Sequence, residues 1–130
     1  MMAKGQSQYR GYRDLRVYQL AYALAMEIFQ ETKAFPPEEK YSLTDQIRRS
    51  SRSIPTNLAE AWKKRNYEKA FVSKLVDCSS EAAETEVWLD FSRDCGYLKK
   101  DRCEYFAGKY DEVARMLYSM IEQPEKFCTK

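Results

Sequence analysis

The 130-residue sequence contains no histidine, and it contains only four glycines and four prolines. Without histidine, the chain lacks the commonest general base and the commonest metal ligand of proteins. The scarcity of glycine and proline favours a few long elements over many short strands. No run of about 18 apolar residues is present, so no transmembrane helix is expected. The amino-terminal segment also lacks the apolar stretch of a signal peptide.

These absences argue against catalytic or metal chemistry. A di-iron site in a helical bundle normally uses a Glu-x-x-His motif on each of two helices. We therefore interpret Asp77, Glu81 and Glu84, which share one predicted helix, as an acidic surface and not as a metal site. No glycine-rich phosphate-binding motif is present. The sequence predicts no enzymatic activity, no cofactor and no metal.

The four cysteines are widely spaced and form no CxxC motif. In a chain without a secretion signal, this spacing predicts free thiols and a reducing, cytoplasmic location. Cys78 and Cys103 fall on predicted apolar helix faces, where a free cysteine behaves as a small buried hydrophobe.

Charge is distributed unevenly along the chain, although the net charge is only +2. Residues 44–69 carry seven basic and three acidic side chains, whereas residues 70–98 carry two basic and six acidic ones. A chain polarised in this way can present one basic face and one acidic face. These faces can bind partners, or they can neutralise each other within one subunit or across a subunit interface.

Hydrophobic periodicity predicts four helices, over residues 12–33, 37–65, 67–94 and 99–123. The connections are then only about 2–6 residues long, as between antiparallel neighbours in a bundle. The predicted fold class is all-α, an up-down-up-down four-helix bundle. Residues 12–123 form the predicted domain, with a flexible amino-terminal tail at 1–11 and a carboxy-terminal tail at 124–130.

Several local signals refine these helices. Asp14 is expected to cap the first helix. Pro55 is expected to kink or break the second, with Ser53 or Thr56 restarting it, because proline cannot donate to the carbonyl four residues earlier. Gly96 suits a left-handed residue at the end of the third helix. The predicted core stripe of the first helix is Leu15, Tyr18, Tyr22, Ala25 and Phe29, widened by Ala21 and Ile28. In the third helix it is Phe71, Leu75, Cys78, Ala82, Leu89 and Ser92, with Val72 and Val76 alongside, and in the fourth it is Cys103, Phe106, Tyr110, Val113, Leu117 and Met120.

A basic cluster on the second predicted helix is the candidate site. Arginine forks match phosphate geometry, and Tyr9, Tyr12 and Tyr67 lie beside the basic residues in sequence and can stack on unpaired bases. RNA or DNA is therefore a candidate partner. A structural interpretation stays open, because cations also favour a helix carboxy-terminus and Arg48 could pair with Asp45 or Glu60. The candidate nucleic-acid-binding residues are Arg48, Arg49, Arg52, Lys63, Lys64 and Arg65.

Aromatic residues exceed what one small bundle needs to bury, with ten tyrosines, six phenylalanines and two tryptophans. Tyrosine and tryptophan favour interfaces where one edge is apolar and the other is wet. Together with the opposite charges of the second and third helices, this surplus predicts a homo-oligomer in which a basic face meets the acidic face of the next copy. The alternative is that these aromatics are core residues.

Two motifs resemble a known family. They are DLRVYQLA at residues 14–21 and FPPEEKYSLTDQIRRSSRSIPTNLAEAW at residues 35–62. The sequence is similar to the bacterial four-helix-bundle family first noticed as reading frames inside intervening sequences of 23S rRNA genes, over about residues 14–117. Ala61 replaces a glycine of the family pattern, which predicts that the helix continues there.

The resemblance implies a four-helix bundle without established enzymatic activity that assembles into a pentameric ring. The chain is also distantly similar to the accessory proteins of diversity-generating retroelements, which form such barrels and bind nucleic acid. Two functions remain open. One is a homo-oligomer that binds RNA or DNA through its basic surface. The other is a scaffold for another protein, in which Arg48 and Arg49 of one subunit pair with Glu81 or Glu84 of the next.

Overall fold

The computed structural model describes residues 9–129, and within this range it contains four α-helices and no β-strand. The all-α prediction is therefore confirmed. Three single turns of 3-10 helix, at Tyr12–Asp14, Pro37–Glu39 and Pro124–Lys126, lie between or beside the helices. The helices are α1 (Arg16–Thr32), α2 (Leu43–Lys63), α3 (Glu68–Asp94) and α4 (Lys100–Glu122).

The core lies between the four helices, and α3 and α4 contribute the faces that the sequence predicts. Of the two valines predicted alongside the α3 stripe, Val72 is partly buried and Val76 is 46% exposed. Every member of the two main stripes is buried, from Phe71 to Ser92 and from Cys103 to Met120. Cys78 and Cys103 are among them, and all four cysteines are free. A well-formed Schellman motif ends α3, in which Gly96 has φ +82° and Tyr97 N donates to Ser92 O at 2.9 Å.

The predicted stripe of α1 is wrong in part. Tyr22 is 53% exposed, and Tyr18 and Phe29 are only partly buried. The buried face runs through Val17, Ala21, Leu24, Ala25 and Ile28, of which Ala21, Ala25 and Ile28 were predicted. Both stripes have helical spacing, so periodicity alone did not decide which of two adjacent faces packs inward.

Asp14 does not cap α1, which begins two residues later with Leu15 at its amino-terminal cap position. The Asp14 carboxylate accepts a hydrogen bond from Arg10 N at 2.8 Å, and this bond lowers the pKa of Asp14. Asp14 thus closes the 3-10 turn that precedes α1. The predicted cap of α1 by Asp14 is therefore wrong, because the Asp14 carboxylate is already hydrogen-bonded within this separate turn.

The connection between α1 and α2 is longer than predicted, because α2 begins at Leu43 and not near Pro37. Pro37–Glu39 form a single 3-10 turn, and Ser42 has a non-helical backbone at φ −125° and ψ −102°. The Glu39 carboxylate accepts hydrogen bonds from the Ser42 hydroxyl at 2.6 Å and from Leu43 N at 3.3 Å. Glu39 therefore stabilises the start of α2, where its charge also favours the helix dipole.

Helix α2 continues through Pro55 without interruption, so the predicted restart at Ser53 or Thr56 is wrong. The side chains around the proline bond to backbone carbonyls one turn earlier. Ser53 Oγ donates to Arg49 O, Thr56 Oγ1 to Arg52 O and Asn57 Nδ2 to Ser53 O, at 2.8–2.9 Å. These side-chain bonds support the turns on either side of the missing N–H. The expected kink stays a prediction, whereas Ala61 lies inside the helix as predicted.

Each helix contacts the next one along the chain, and α1 also contacts α4. In the side-chain contacts between α2 and α3, residues early in α2 meet residues late in α3, and residues late in α2 meet residues early in α3. Ser50 hydrogen-bonds Thr85 near the start of α2, whereas Glu60 near its end pairs with Lys74. Antiparallel packing of α2 and α3 gives this order, and the up-down-up-down alternation of all four helices stays a prediction.

The predicted tails lie only partly within the described residues, because residues 1–8 and 130 fall outside them. Tyr9 packs edge-on against Trp62, with ring centres 5.8 Å apart, and Phe127 stacks on Tyr9 at the same separation. Thr129 N also donates to Arg65 O at 3.2 Å. The boundaries at residues 11 and 124 stay predictions, and the residues just outside them contact the bundle.

Candidate nucleic-acid interface

A groove of about 710 Å³ runs along the outer face of α2 and contains the first half of the predicted basic cluster. We call it the basic groove. Its charged and aromatic lining residues are Lys40, Tyr41, Asp45, Arg48, Arg49 and Arg52. Residues 45, 48, 49 and 52 share one face of α2 because they recur at helical spacing.

Arg48 is fixed against α1 by neutral partners. Its Nε donates to Thr32 Oγ1 at 2.8 Å, one Nη donates to Phe29 O at 3.4 Å, and the guanidinium lies 4.7 Å from the centre of the Phe29 ring. Neither Asp45 nor Glu60, the acidic partners considered from sequence, forms an ion pair with Arg48 among the described residues. The positive charge of Arg48 is therefore held in one place without being neutralised.

Arg49 is neutralised within its own chain. It forms ion pairs with Glu84 and, at 3.6 Å, with Glu81 on α3. The hydrogen bond to Glu84 raises the pKa of Arg49 above its ordinary value. The pairing with Glu81 or Glu84 that was considered between subunits thus already forms inside one subunit, and Arg49 is a structural residue of the α2–α3 contact.

Arg52, Lys63 and Lys64 are exposed cations without an ion pair to any residue in the range 9–129. The Arg52 guanidinium lies 5.6 Å from the centre of the Phe29 ring, beside Arg48. Lys63 is about three turns further along α2, on the same face and roughly 16 Å away along the helix axis. These three side chains have the freedom that contact with a flexible polyanion requires.

Arg65 belongs to a different environment. Its guanidinium carbon lies 3.8 Å from the centre of the Trp62 ring, and its Nε donates to Trp62 O at 2.9 Å. Burial lowers the pKa of Arg65. Arg65 therefore stabilises the end of α2 and its contact with the carboxy-terminal segment. The predicted cluster divides into free, fixed and neutralised charges.

Sequence reasoning missed two parts of this surface. Lys40 and Tyr41 join the basic groove from the segment before α2, and the Lys40 ammonium lies 5.3 Å from the centre of the Tyr41 ring. A second groove of about 510 Å³, which we call the tyrosine groove, lies between α1 and α2. Of its three tyrosines, Tyr12 was predicted to stack on bases, whereas Tyr18 and Tyr22 were assigned to the core, and only the displaced stripe of α1 reveals that Tyr22 is exposed. Its aromatic, proline and charged lining residues are Tyr12, Tyr18, Tyr22, Arg52, Pro55 and Glu60.

Two further observations bear on the other candidate chemistries. Among residues 9–129, no group of three or more histidine, cysteine, aspartate or glutamate side chains could hold a metal ion. Glu81 and Glu84, which we considered as ligands, instead face Arg49. No helix in the described part of the chain is both long and apolar enough to cross a membrane.

Comparisons with known proteins agree with this architecture. The chain matches the family described as 23S rRNA-intervening sequence protein over residues 13–119. It is also similar to a crystal structure of a protein of unknown function from the S23 ribosomal protein family of Bacteroides thetaiotaomicron. The two share 29% sequence identity and a TM-score of 0.74, over 82% of this chain and 95% of that chain. The comparison with curated proteins finds no significant match. Because the family match covers most of the sequence, the chain belongs to the 23S rRNA-intervening sequence protein family.

Proposed function

We propose that the protein is a non-enzymatic, self-associating four-helix bundle that binds RNA through the outer face of α2. The observation that carries this proposal is the pair Arg48 and Arg52 in the basic groove. Arg48 is oriented by a hydroxyl, a carbonyl and an aromatic ring, none of which cancels its charge. Arg52 lies beside it without an ion pair among the described residues.

Phosphate is the ligand that this arrangement favours. Arginine presents a planar fork of donors that matches phosphate oxygens, and it is more weakly hydrated than lysine. Pre-orienting Arg48 reduces the side-chain entropy that binding would otherwise cost. Lys40 and Lys63 extend the positive surface in both directions along α2. Asp45, the acidic residue of the groove, offsets only part of this charge. We choose RNA because the name of the matched family refers to 23S rRNA.

Self-association is supported by the outer face of α3. Val76, Ala83, Val87 and Phe91 lie on the face opposite the core, and the three large side chains among them are about half exposed. An apolar stripe of this kind on a helix that is already buried on one side marks a protein interface. The pentamer implied by the resemblance is our prediction for the assembly.

Light scattering at low and high salt, with and without a mixed RNA pool, tests the proposal. We expect a stable oligomer that gains mass with RNA at low salt and releases it at high salt, because phosphate contacts release counterions. Val87→Glu and Phe91→Glu should reduce the oligomer mass, whereas Tyr118→Glu, at an exposed tyrosine of α4, is the matched control. A monomer at all concentrations would refute self-association.

A protein scaffold without nucleic-acid binding is the competing function. The structure weakens the particular version in which Arg49 closes a subunit contact, because Arg49 already pairs with Glu81 and Glu84 of its own chain. An oligomer that ignores RNA at every salt concentration would favour the scaffold. The search would then turn to proteins that co-purify with it.

A further inference from the structure

The tyrosine groove and the basic groove form one continuous surface. Arg52 and Thr56 line both of them, because they lie on the ridge of α2 that separates the two. A strand whose phosphates lie along Arg48 and Arg52 would therefore have an aromatic groove immediately beside it. This juxtaposition of free cations and exposed aromatic rings is the observation from which we argue.

Three tyrosines form a ladder along one side of the groove. The ring centres of Tyr12 and Tyr18 are 5.1 Å apart, and those of Tyr18 and Tyr22 are 6.0 Å apart. Tyr22 is 53% exposed, so its ring is available to a further planar group. Pro55 contributes a buried apolar surface from α2. The groove can thus hold a flat, weakly polar group that stacks on tyrosine.

The charges around the groove favour an anionic strand. Glu60 is the acidic residue among the lining side chains, and its carboxylate is paired with Lys74 Nζ at 2.7 Å. The Arg13 guanidinium lies 4.7 Å from the centre of the Tyr12 ring, at the α1 side of the groove. Arg52 occupies the other side. Cations therefore flank the tyrosine ladder, and the Glu60 carboxylate is already compensated.

We propose that unpaired bases of a single-stranded RNA stack in the tyrosine groove, on Tyr22 above all, while the adjacent phosphates contact Arg52. This inference rests on the proposed function and adds to it a preference for single strands. Duplex RNA keeps its bases stacked on each other, so it could use only the basic groove. Aromatic side chains and a positive groove are the two elements by which proteins bind single strands without sequence preference.

The test uses three RNA probes and the full-length protein. The probes are a mixed-sequence single strand of about 12 nucleotides, the same strand with abasic residues in its central half, and its duplex with the complement. Fluorescence anisotropy measures the affinity for each. We expect the base-bearing strand to bind about fivefold or more tightly than the abasic strand, because stacking on an aromatic side chain has about this effect. The duplex should resemble the abasic strand.

Variants then locate the effect. Tyr22→Ala should abolish the advantage of the base-bearing strand and leave the affinity for the abasic strand unchanged. Tyr22→Phe keeps the ring and should keep the advantage. Tyr118→Ala, at an exposed tyrosine remote from both grooves in sequence and on α4, should change neither affinity.

The outcomes separate this inference from the proposed function. If no probe binds in a salt-dependent manner, the proposed function fails, and this inference fails with it. If all three probes bind equally and Tyr22→Ala has no effect, RNA binding stands and base stacking is refuted. If Tyr22→Ala changes the oligomeric state and not the affinity, the groove is a contact between copies of the chain, which also overturns the inference.

Discussion

The most direct prediction concerns the three free cations of α2 and its carboxy-terminal end. Arg52, Lys63 and Lys64 are exposed, and none forms an ion pair within the described residues. The triple variant Arg52→Gln/Lys63→Gln/Lys64→Gln removes three positive charges without breaking an ion pair among the described residues, although it loses the 5.6 Å contact between Arg52 and the Phe29 ring. Arg48, Arg49 and Arg65 are left intact because each contacts another part of the bundle.

The expected magnitude follows from counterion release. Each phosphate contact contributes about 0.7 to the slope of log Kobs against log salt for a single strand. Loss of three contacts should therefore lower the slope by about two. Raising the salt concentration from 50 mM to 200 mM should therefore weaken RNA binding by the triple variant approximately 16-fold less than it weakens RNA binding by the unmodified protein.

Anisotropy titrations with a single-stranded RNA across this salt range measure the slope. The matched control is Lys99→Gln/Lys100→Gln/Lys126→Gln, which makes the same change in net charge at exposed lysines outside α2. Circular dichroism should show unchanged helicity and unfolding temperature for both variants. Equal slopes for the two variants would mean that only net charge matters, and they would refute a binding surface on α2.

Three further predictions test the structural interpretation of the same region. Arg48→Gln should lower the free energy of unfolding by about 1–2 kcal/mol, because it loses a charged hydrogen bond and a cation–π contact. Urea unfolding measures this change. An unchanged free energy of unfolding would mean that Arg48 has no structural role. Thr85→Val should cost about 1–2 kcal/mol in the same assay, because it leaves the buried hydroxyl of Ser50 without its 2.8 Å partner. Ser80→Ala, at an exposed position of the same helix, is the control. Hydrogen bonds from Ser42 and Tyr97 lower the pKa of Glu39 from its ordinary value of 4.5. The ionised Glu39 carboxylate therefore stabilises the folded protein above that pH, and this stabilisation is lost as the pH falls through the lowered pKa. Glu39→Gln should therefore flatten the acid limb of a stability profile measured by urea unfolding at several pH values, and identical limbs would contradict this role.

The fold could be predicted largely from sequence because each helix carries a strong periodic signal. The buried faces of α3 and α4 were predicted apart from Val76, which is 46% exposed, and Gly96 ended α3 as expected. The errors lie where two local signals compete. Pro37 and two glutamates are typical of a helix start, yet Glu39 uses its carboxylate on Ser42 and Leu43 and delays that start to Leu43. Such a bond depends on side-chain direction, which periodicity does not encode.

The site could be predicted only as a set of residues. Sequence identified six basic side chains, but it could not distinguish the free ones from those that are fixed or neutralised, because the partners of Arg48 and Arg49 are distant in the chain. Arg48 bonds Thr32 on α1, and Arg49 pairs with Glu84 on α3. The tyrosine groove was missed because Tyr18 and Tyr22 follow a helical period that also fits a core stripe.

The sequence between residues 46 and 60 also shows where function should be sought. Most of its polar side chains stabilise the bundle, since Ser50 bonds Thr85, Asn57 bonds Ser53 O and Lys74, and Glu60 pairs with Lys74. Arg52 is different, because its side chain is exposed and makes no polar contact that stabilises the bundle among the described residues. Arg48 lies next to Arg52, and no carboxylate neutralises its charge among the described residues, although carboxylates are abundant on α3. A fold that neutralises Arg49 with two glutamates but leaves Arg48 and Arg52 without a carboxylate partner among the described residues is what we expect if these two arginines bind an external anion.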